Sequence, residues 1–160
     1  MSQKSIYQEV ILDHNRKPRN YGTLEHPTHH ATGHNPLCGD RIDLDIDMQD
    51  GHIEKIAFRG ESCAICKASS SMMTGVVKGK TQQEAEAMIQ EFREMLISKE
   101  EKNFDHLNRL RVLAGIRDLP TRVKCAILPW HTLHAALNST EGATTENDDH
   151  LNNELVVNNH

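Results

Sequence analysis

Aromatic side chains are scarce in this 160-residue chain, at 4%: one Trp, two Tyr and three Phe. A core of stacked rings is thereby excluded, and apolar packing must come from aliphatic side chains, Met and Ala, a composition that favours helices. Basic excess is missing as well. Against 23 Asp and Glu there are 18 Lys and Arg, giving a formal charge of −5 at pH 7. Nucleic-acid binding, which needs clustered cations to displace counterions, is not expected. No run of about 18 apolar residues occurs, so no membrane span is expected either. The opening MSQKSIYQEVILDH carries charges throughout, where a signal peptide would be apolar. A cytoplasmic protein is the expectation. Cysteines are few, four in all. In a reducing compartment they stay thiols, so their use lies in metal or sulfur chemistry before disulfides.

The length suits one domain. Ile6, Tyr7, Val10 and Ile11 recur at helical spacing and predict a short N-terminal helix over residues 6–12. Residues 21–36, rich in Gly, Pro, Thr and His, read as a loop with one short edge strand near 31–33. Over residues 40–48 Ile42, Leu44, Ile46 and Met48 alternate with Arg41, Asp43, Asp45 and Asp47, which predicts a strand with one core face and one wet face. A turn at 49–52 then leads to an antiparallel partner carrying Ile56 and Phe58. Helices follow: one from the cysteines after Gly60 to residues 78–80, one opened by the Thr81/Glu84 capping box, an amphipathic stretch through Phe104, Leu107, Leu110 and Leu113, and a last one carrying Ile127, Trp130, Leu133 and Leu137. The expected class is α+β, a small antiparallel sheet of about three strands packed by several helices. Residues 1–138 form the domain, and residues 139–160, polar and acidic, read as a disordered tail.

Three segments carry the chemistry. In Asn35-Pro36-Leu37-Cys38-Gly39-Asp40, a period of two puts Cys38 and Asp40 on the buried face of the coming strand, with Gly39 free to bend between them. In Glu61-Ser62-Cys63-Ala64-Ile65-Cys66, Cys63 falls at a helix start, where unpaired N–H groups favour thiolate. Cys66, one turn further in, reads equally as a ligand or as a small hydrophobic residue. In Arg122-Val123-Lys124-Cys125, the third thiol occupies a first helical turn, with Pro129 set to kink the helix or delay its start. Cys38, Asp40, Cys63 and Cys125 form an S₃O donor set suited to tetrahedral Zn²⁺, and iron fits too. With zinc the set would carry a net charge of about −2, which Arg122 and Lys124 would offset. Spacing alone leaves three alternatives open: cysteines that are merely buried, a purely structural zinc site, and a redox C-x-x-C pair at Cys63/Cys66. The histidines His26, His29, His30 and His34 read as a solvated loop, His131 and His134 as the flank of the last helix, and Ser69-Ser70-Ser71 as small residues for close helix packing.

On the segments IYQEVILDHNRKPRNYG, LCGD, SCAICKASSSMM, VKGK and RVKCAILPWHTLHAAL, the chain resembles the SufU branch of the IscU/NifU-N family of iron–sulfur cluster assembly proteins. The resemblance covers nearly everything before the tail. It implies the family fold, with a metal site at one end of the sheet, and the ligands Cys38, Asp40, Cys63 and Cys125. Scaffold-type members carry a His before the third Cys and a Leu-Pro-Pro-Val-Lys chaperone motif; here Lys124 and Leu119-Pro120-Thr121-Arg122 stand instead. The SufU type implies a zinc-dependent sulfurtransferase. It accepts persulfide sulfur from a SufS-type cysteine desulfurase, with Cys38 as the attacking thiolate, and passes it toward the SufBCD scaffold. The alternative is a scaffold that holds iron or a nascent cluster at the same residues.

Overall fold

The computed structural model describes residues 3–98, 103–138, 144–146 and 156–159, with backbone alone for 3–5, 144–146 and 156–159. Helix α1 spans Gln3–Arg16, and three antiparallel strands follow: β1 His29–Asn35, β2 Asp40–Gln49 and β3 His52–Arg59. Then come α2 Ala64–Val77, α3 Gln82–Ile97, a 3₁₀ segment Asp105–Ile116 and α4 Pro120–Leu137. The α+β expectation and the three-stranded sheet are both present. Strand β1 is longer than the short edge strand expected, since its His-rich, β-unfavourable residues are held by a full ladder to β2. The expected tail falls largely outside the described residues. Within it, β4 Thr144–Glu146 and β5 Val156–Asn159 extend the sheet beyond β1, in the order β3-β2-β1-β5-β4.

Helices cover one face of the sheet, with α4 packed on β1 and β2, and α2 and α3 packed on α4. The core is aliphatic, as the composition requires, with Ile42, Leu44, Ile46, Met73, Leu128 and Leu133 fully enclosed. Within it Trp130 stacks on Phe92, with centroids 4.5 Å apart. The serine run makes the close packing that was expected and also bonds across it. Ser69 Oγ donates to the Ala126 carbonyl at 2.6 Å and accepts from Trp130 Nε1 at 3.1 Å, while Ser71 Oγ accepts from the Arg19 N–H at 2.8 Å. Thr81 and Glu84 form the capping box that opens α3.

The wet face of β2 needs correction. Asp43 and Asp47 are half-buried, but Asp45 is only 2% exposed. Residues before β1 fold over it, and its carboxylate accepts from the Leu24 N–H at 3.1 Å and from Arg59 at 2.9 Å and pairs with His30 Nδ1 at 2.6 Å. Burial alone would raise its pKa; the bonds from His30, Leu24 and Arg59 outweigh that and hold it below the usual carboxylate value. His30, expected in a solvated loop, is therefore part of the sheet's second polar layer.

Candidate metal and sulfur site

The site lies where the β1–β2 hairpin, the start of α2 and the second turn of α4 meet. Asp40 opens β2 opposite Asn35 and is 2% exposed, on the same face as Ile42 and Leu44. Cys38 is not on the strand. Residues 36–39 form the turn, closed by the Gly39 N–H donating to the Asn35 carbonyl at 2.9 Å, with Gly39 at φ +72°. Strand parity therefore describes Asp40 but not Cys38, because a turn residue follows no pleat. The consequence is chemical: Cys38 is exposed, as is its neighbour Leu37.

Cys63 reaches Asp40 because of Gly60. The chain leaves β3 at φ +140°, so close to β2 that a Cβ on Gly60 would overlap the Arg41 carbonyl oxygen. Arg41 then donates its N–H to the Glu61 carbonyl at 2.8 Å, and three residues beyond Gly60 the Cys63 N–H donates to Asp40 Oδ1 at 2.7 Å. Asp40 Oδ2 lies 3.6 Å from the Cys63 sulfur. Cys63 is the N-cap of α2, and its sulfur accepts the Cys66 N–H at 3.4 Å.

Cys125 is fully buried in α4. It was expected in a first helical turn; α4 instead begins at Pro120, so Cys125 sits in the second turn without free N–H groups around it. Pro120 takes the first helical position, where its missing N–H is harmless, and the helix continues through Pro129. The Cys125 sulfur is 3.6 Å from that of Cys38. Its hydrogen bond with Cys63 lowers the Cys63 pKa to about 7, aided by the Cys66 and Ile65 N–H groups and opposed by burial and the Asp40 charge. The same bond, together with burial and the negative groups Cys63 and Asp40, drives Cys125 upward. Of the two, Cys63 is therefore the thiol that ionises more readily.

Cys38, Asp40 and Cys125 place one donor atom each within 4.8 Å of one another. Cys63 is outside that group but touches it through Asp40. A tetrahedral zinc centre with Zn–S about 2.3 Å and Zn–O about 2.0 Å has edges of about 3.8 Å between sulfurs and about 3.5 Å between sulfur and oxygen. The observed 3.6 Å separations, Cys38 to Cys125 and Cys63 to Asp40, match those edges. Cys38, Asp40 and Cys125 thus offer three donors that suit a thiophilic divalent ion, with the Cys63 sulfur beside Asp40. Cys66 is fully enclosed, and burial pushes its thiol well above the ordinary value, so it stays protonated as a core residue. Arg122 is exposed and Lys124 half-buried beside Cys125 in sequence.

Two residues near the site carried no role in the sequence reading. Tyr7 of α1 is half-buried; burial raises its pKa, Arg122 opposes that and Cys63 adds to it, which puts the start of α1 within electrostatic reach of the thiols. Its helical apolar spacing hid it. Asn35 ends β1, fully buried, and its Oδ1 accepts the Leu37 N–H at 3.2 Å, bracing the Cys38 turn. His131 and His134 lie elsewhere, facing α3. His134 pairs with Glu86 at 2.7 Å, which raises its pKa, while burial lowers that of His131 to about 4.

Fold and site together define a small α+β domain with a thiolate–carboxylate centre at the hairpin end of its sheet. Residues 6–146 match the NifU-like N terminal domain family, and the chain belongs to that family. It is 38% identical over 138 residues to the zinc-dependent sulfurtransferase SufU of Bacillus subtilis (strain 168), covering 86% of this chain and 93% of that one. It is also 38% identical over 138 residues to the iron–sulfur cluster assembly scaffold protein IscU of Streptococcus pyogenes serotype M1, with 86% of each chain covered. Among solved structures it is similar to a putative iron–sulfur cluster assembly scaffold protein for the SUF system from Fervidobacterium islandicum AW-1. That match has a TM-score of 0.77 and 32% identity, covering 85% of this chain and 99% of the other. No described helix is long and apolar enough to cross a membrane.

Proposed function

We propose that this protein is a zinc-dependent sulfurtransferase of iron–sulfur cluster assembly, taking persulfide sulfur from a SufS-type cysteine desulfurase and passing it toward a SufBCD-type scaffold. Cys38 is the attacking thiolate, and Cys38, Asp40, Cys63 and Cys125 are the residues that would hold zinc. The observation that carries the reading is one exposed thiol, Cys38, on a turn beside buried Asp40 and Cys125 and half-buried Cys63. Zinc, when bound, supplies positive charge that keeps its ligands deprotonated at neutral pH.

The protein's own residues do the rest. Asp40 fixes the Cys63 backbone, and α4 holds Cys125 under the turn, so that Cys38 is the most exposed of the three thiols to an incoming partner. The Cys38 thiolate attacks the terminal sulfur of the donor's persulfide, R–S–SH. A new S–S bond forms on Cys38, the donor's S–S bond breaks, and the donor leaves as thiolate with the bonding pair. An acceptor thiolate then attacks the outer sulfur of the Cys38 persulfide, forming a new S–S bond as the Cys38 S–S bond breaks and Cys38 leaves as thiolate. Lys124, standing where scaffold members resembled by this chain carry His, supports transfer over cluster holding; the scaffold-named relative from S. pyogenes supports the second reading, iron or a cluster at the same donors. Anaerobic incubation with a desulfurase and cysteine, followed by peptide mass spectrometry, tests the proposal. Transfer adds one sulfur to Cys38; a loaded Cys63 or Cys66 with unmodified Cys38 would overturn the assignment.

A further inference from the structure

Asn35 is fully buried, and its Nδ2 has no hydrogen-bond partner among the described residues. The amide's orientation is not arbitrary. The Leu37 N–H can only donate, so the Asn35 atom it meets at 3.2 Å is the acceptor, Oδ1. The two-proton donor end is thereby turned the other way, into the protein. Leaving it without an acceptor costs about 1 to 3 kcal/mol, so a group in this condition calls for a partner in another state of the molecule.

The register and the site's distances point to that partner. Asn35 pairs across the ladder with Asp40, and it shares a face of β1 with Gly33 and Ala31, two and four residues earlier. Gly33 lies so close to α4 that a Cβ there would overlap Thr132 and crowd Leu128. At this end of the strand the Cys125 sulfur lies 3.6 Å from that of Cys38, three residues beyond Asn35, and within 4.8 Å of a carboxylate oxygen of Asp40, the cross-strand partner of Asn35. A sulfur that ligates a metal does so as thiolate, and a thiolate is a strong acceptor for an amide N–H.

We infer that Asn35 is a positioning residue of this site, bracing the Cys38 turn with Oδ1 and donating from Nδ2 to the Cys125 thiolate when the site is loaded. The inference rests on the zinc–thiolate reading above. It makes Asn35 the link between the exposed thiol and the buried one, so that turn geometry and thiolate basicity are set by one side chain.

Three proteins are compared: the full-length wild type, Asn35→Asp and Asn35→Ser. Both variants keep an oxygen for the Leu37 N–H and lose the amide donor. Zinc affinity is read by competition with a chromophoric chelator, and Co²⁺ is the spectroscopic probe of thiolate ligation. Both variants should bind zinc about tenfold or more weaker, and the thiolate-to-cobalt charge-transfer band should move to lower energy as the sulfur loses its hydrogen bond. In the wild type, zinc should move an Asn35 side-chain amide proton downfield in ¹⁵N-resolved NMR, a readout that does not depend on the variants folding. Wild-type affinity and an unmoved band in the variants, or an Asn35 amide indifferent to zinc, would overturn the inference and leave the zinc reading standing. A wild type that binds neither zinc nor cobalt would instead remove the zinc reading, and the inference with it.

Discussion

Acid should destabilise this protein through His131 well before any carboxylate of the buried network is protonated. The ring lies between α4 and α3 with Nε2 enclosed and without a hydrogen-bond partner among the described residues; burial lowers its pKa from 6.5 to about 4, with Arg93 and His134 adding to the shift. The folded pKa is below the unfolded one, so between these values the unfolded chain binds the proton that the folded chain refuses. Stability is therefore full above the unfolded pKa and is lost as pH falls. At pH 5 the unfolded imidazole is almost fully protonated and the folded one about one-tenth, which integrates to about 2 kcal/mol lost relative to pH 7.5. Urea unfolding of chelator-treated protein at the two pH values reads this directly. The single Trp130, enclosed on Phe92, serves as the fluorophore. A drop in midpoint of about 1 M is expected in the wild type. His131→Leu removes the titrating group and the orphan nitrogen, so the drop should shrink by about that amount. Other titrations, such as His134 with its raised pKa and opposite sign, persist in both proteins and cancel. An equal pH effect in the two proteins would refute the reasoning.

Gly60→Ala should unfold or deform the segment between β3 and α2, since its Cβ meets backbone at a positive φ; a loss of several kcal/mol is expected by thermal melting, with zinc affinity falling alongside as Cys63 leaves Asp40. Asp45→Asn, in contrast, leaves the site alone but removes the negative charge that Arg59 and His30 pair with, and should lower stability by about 3 kcal/mol in urea at neutral pH. Because Asp45's folded pKa lies below its unfolded value, this contribution is present above the usual carboxylate value and fades as pH falls through the folded one. Cys66→Ala should cost about 1 to 2 kcal/mol of packing while desulfurase stimulation stays near wild type; equal loss of stimulation would make Cys66 part of the centre.

The residues that read correctly from sequence are those whose neighbours in the chain decide their surroundings. Asp40 with Ile42 and Leu44 follows strand parity, Thr81 with Glu84 makes a local cap, and Cys63 marks a helix start. The misreadings have non-local causes. Cys38 left the pleat because the turn took residues 36–39, and Asp45 is dry because residues twenty positions earlier fold over it. Cys125 lost its expected helix end because α4 packs on the sheet strongly enough to carry Pro129 in its interior. Asn35 was visible only as a turn residue, since an unpartnered amide has no sequence signature.

The central claim is that four side chains form one zinc-dependent sulfur-transfer centre with Cys38 as its reactive thiol. Metal analysis of anaerobically purified protein, paired with desulfurase turnover in the presence of wild type and Cys38→Ala, tests it most directly. About one zinc per chain and a turnover increase that Cys38→Ala abolishes are the predicted results. Stoichiometric iron and sulfide with no stimulation of the desulfurase would contradict it and assign the site to cluster holding.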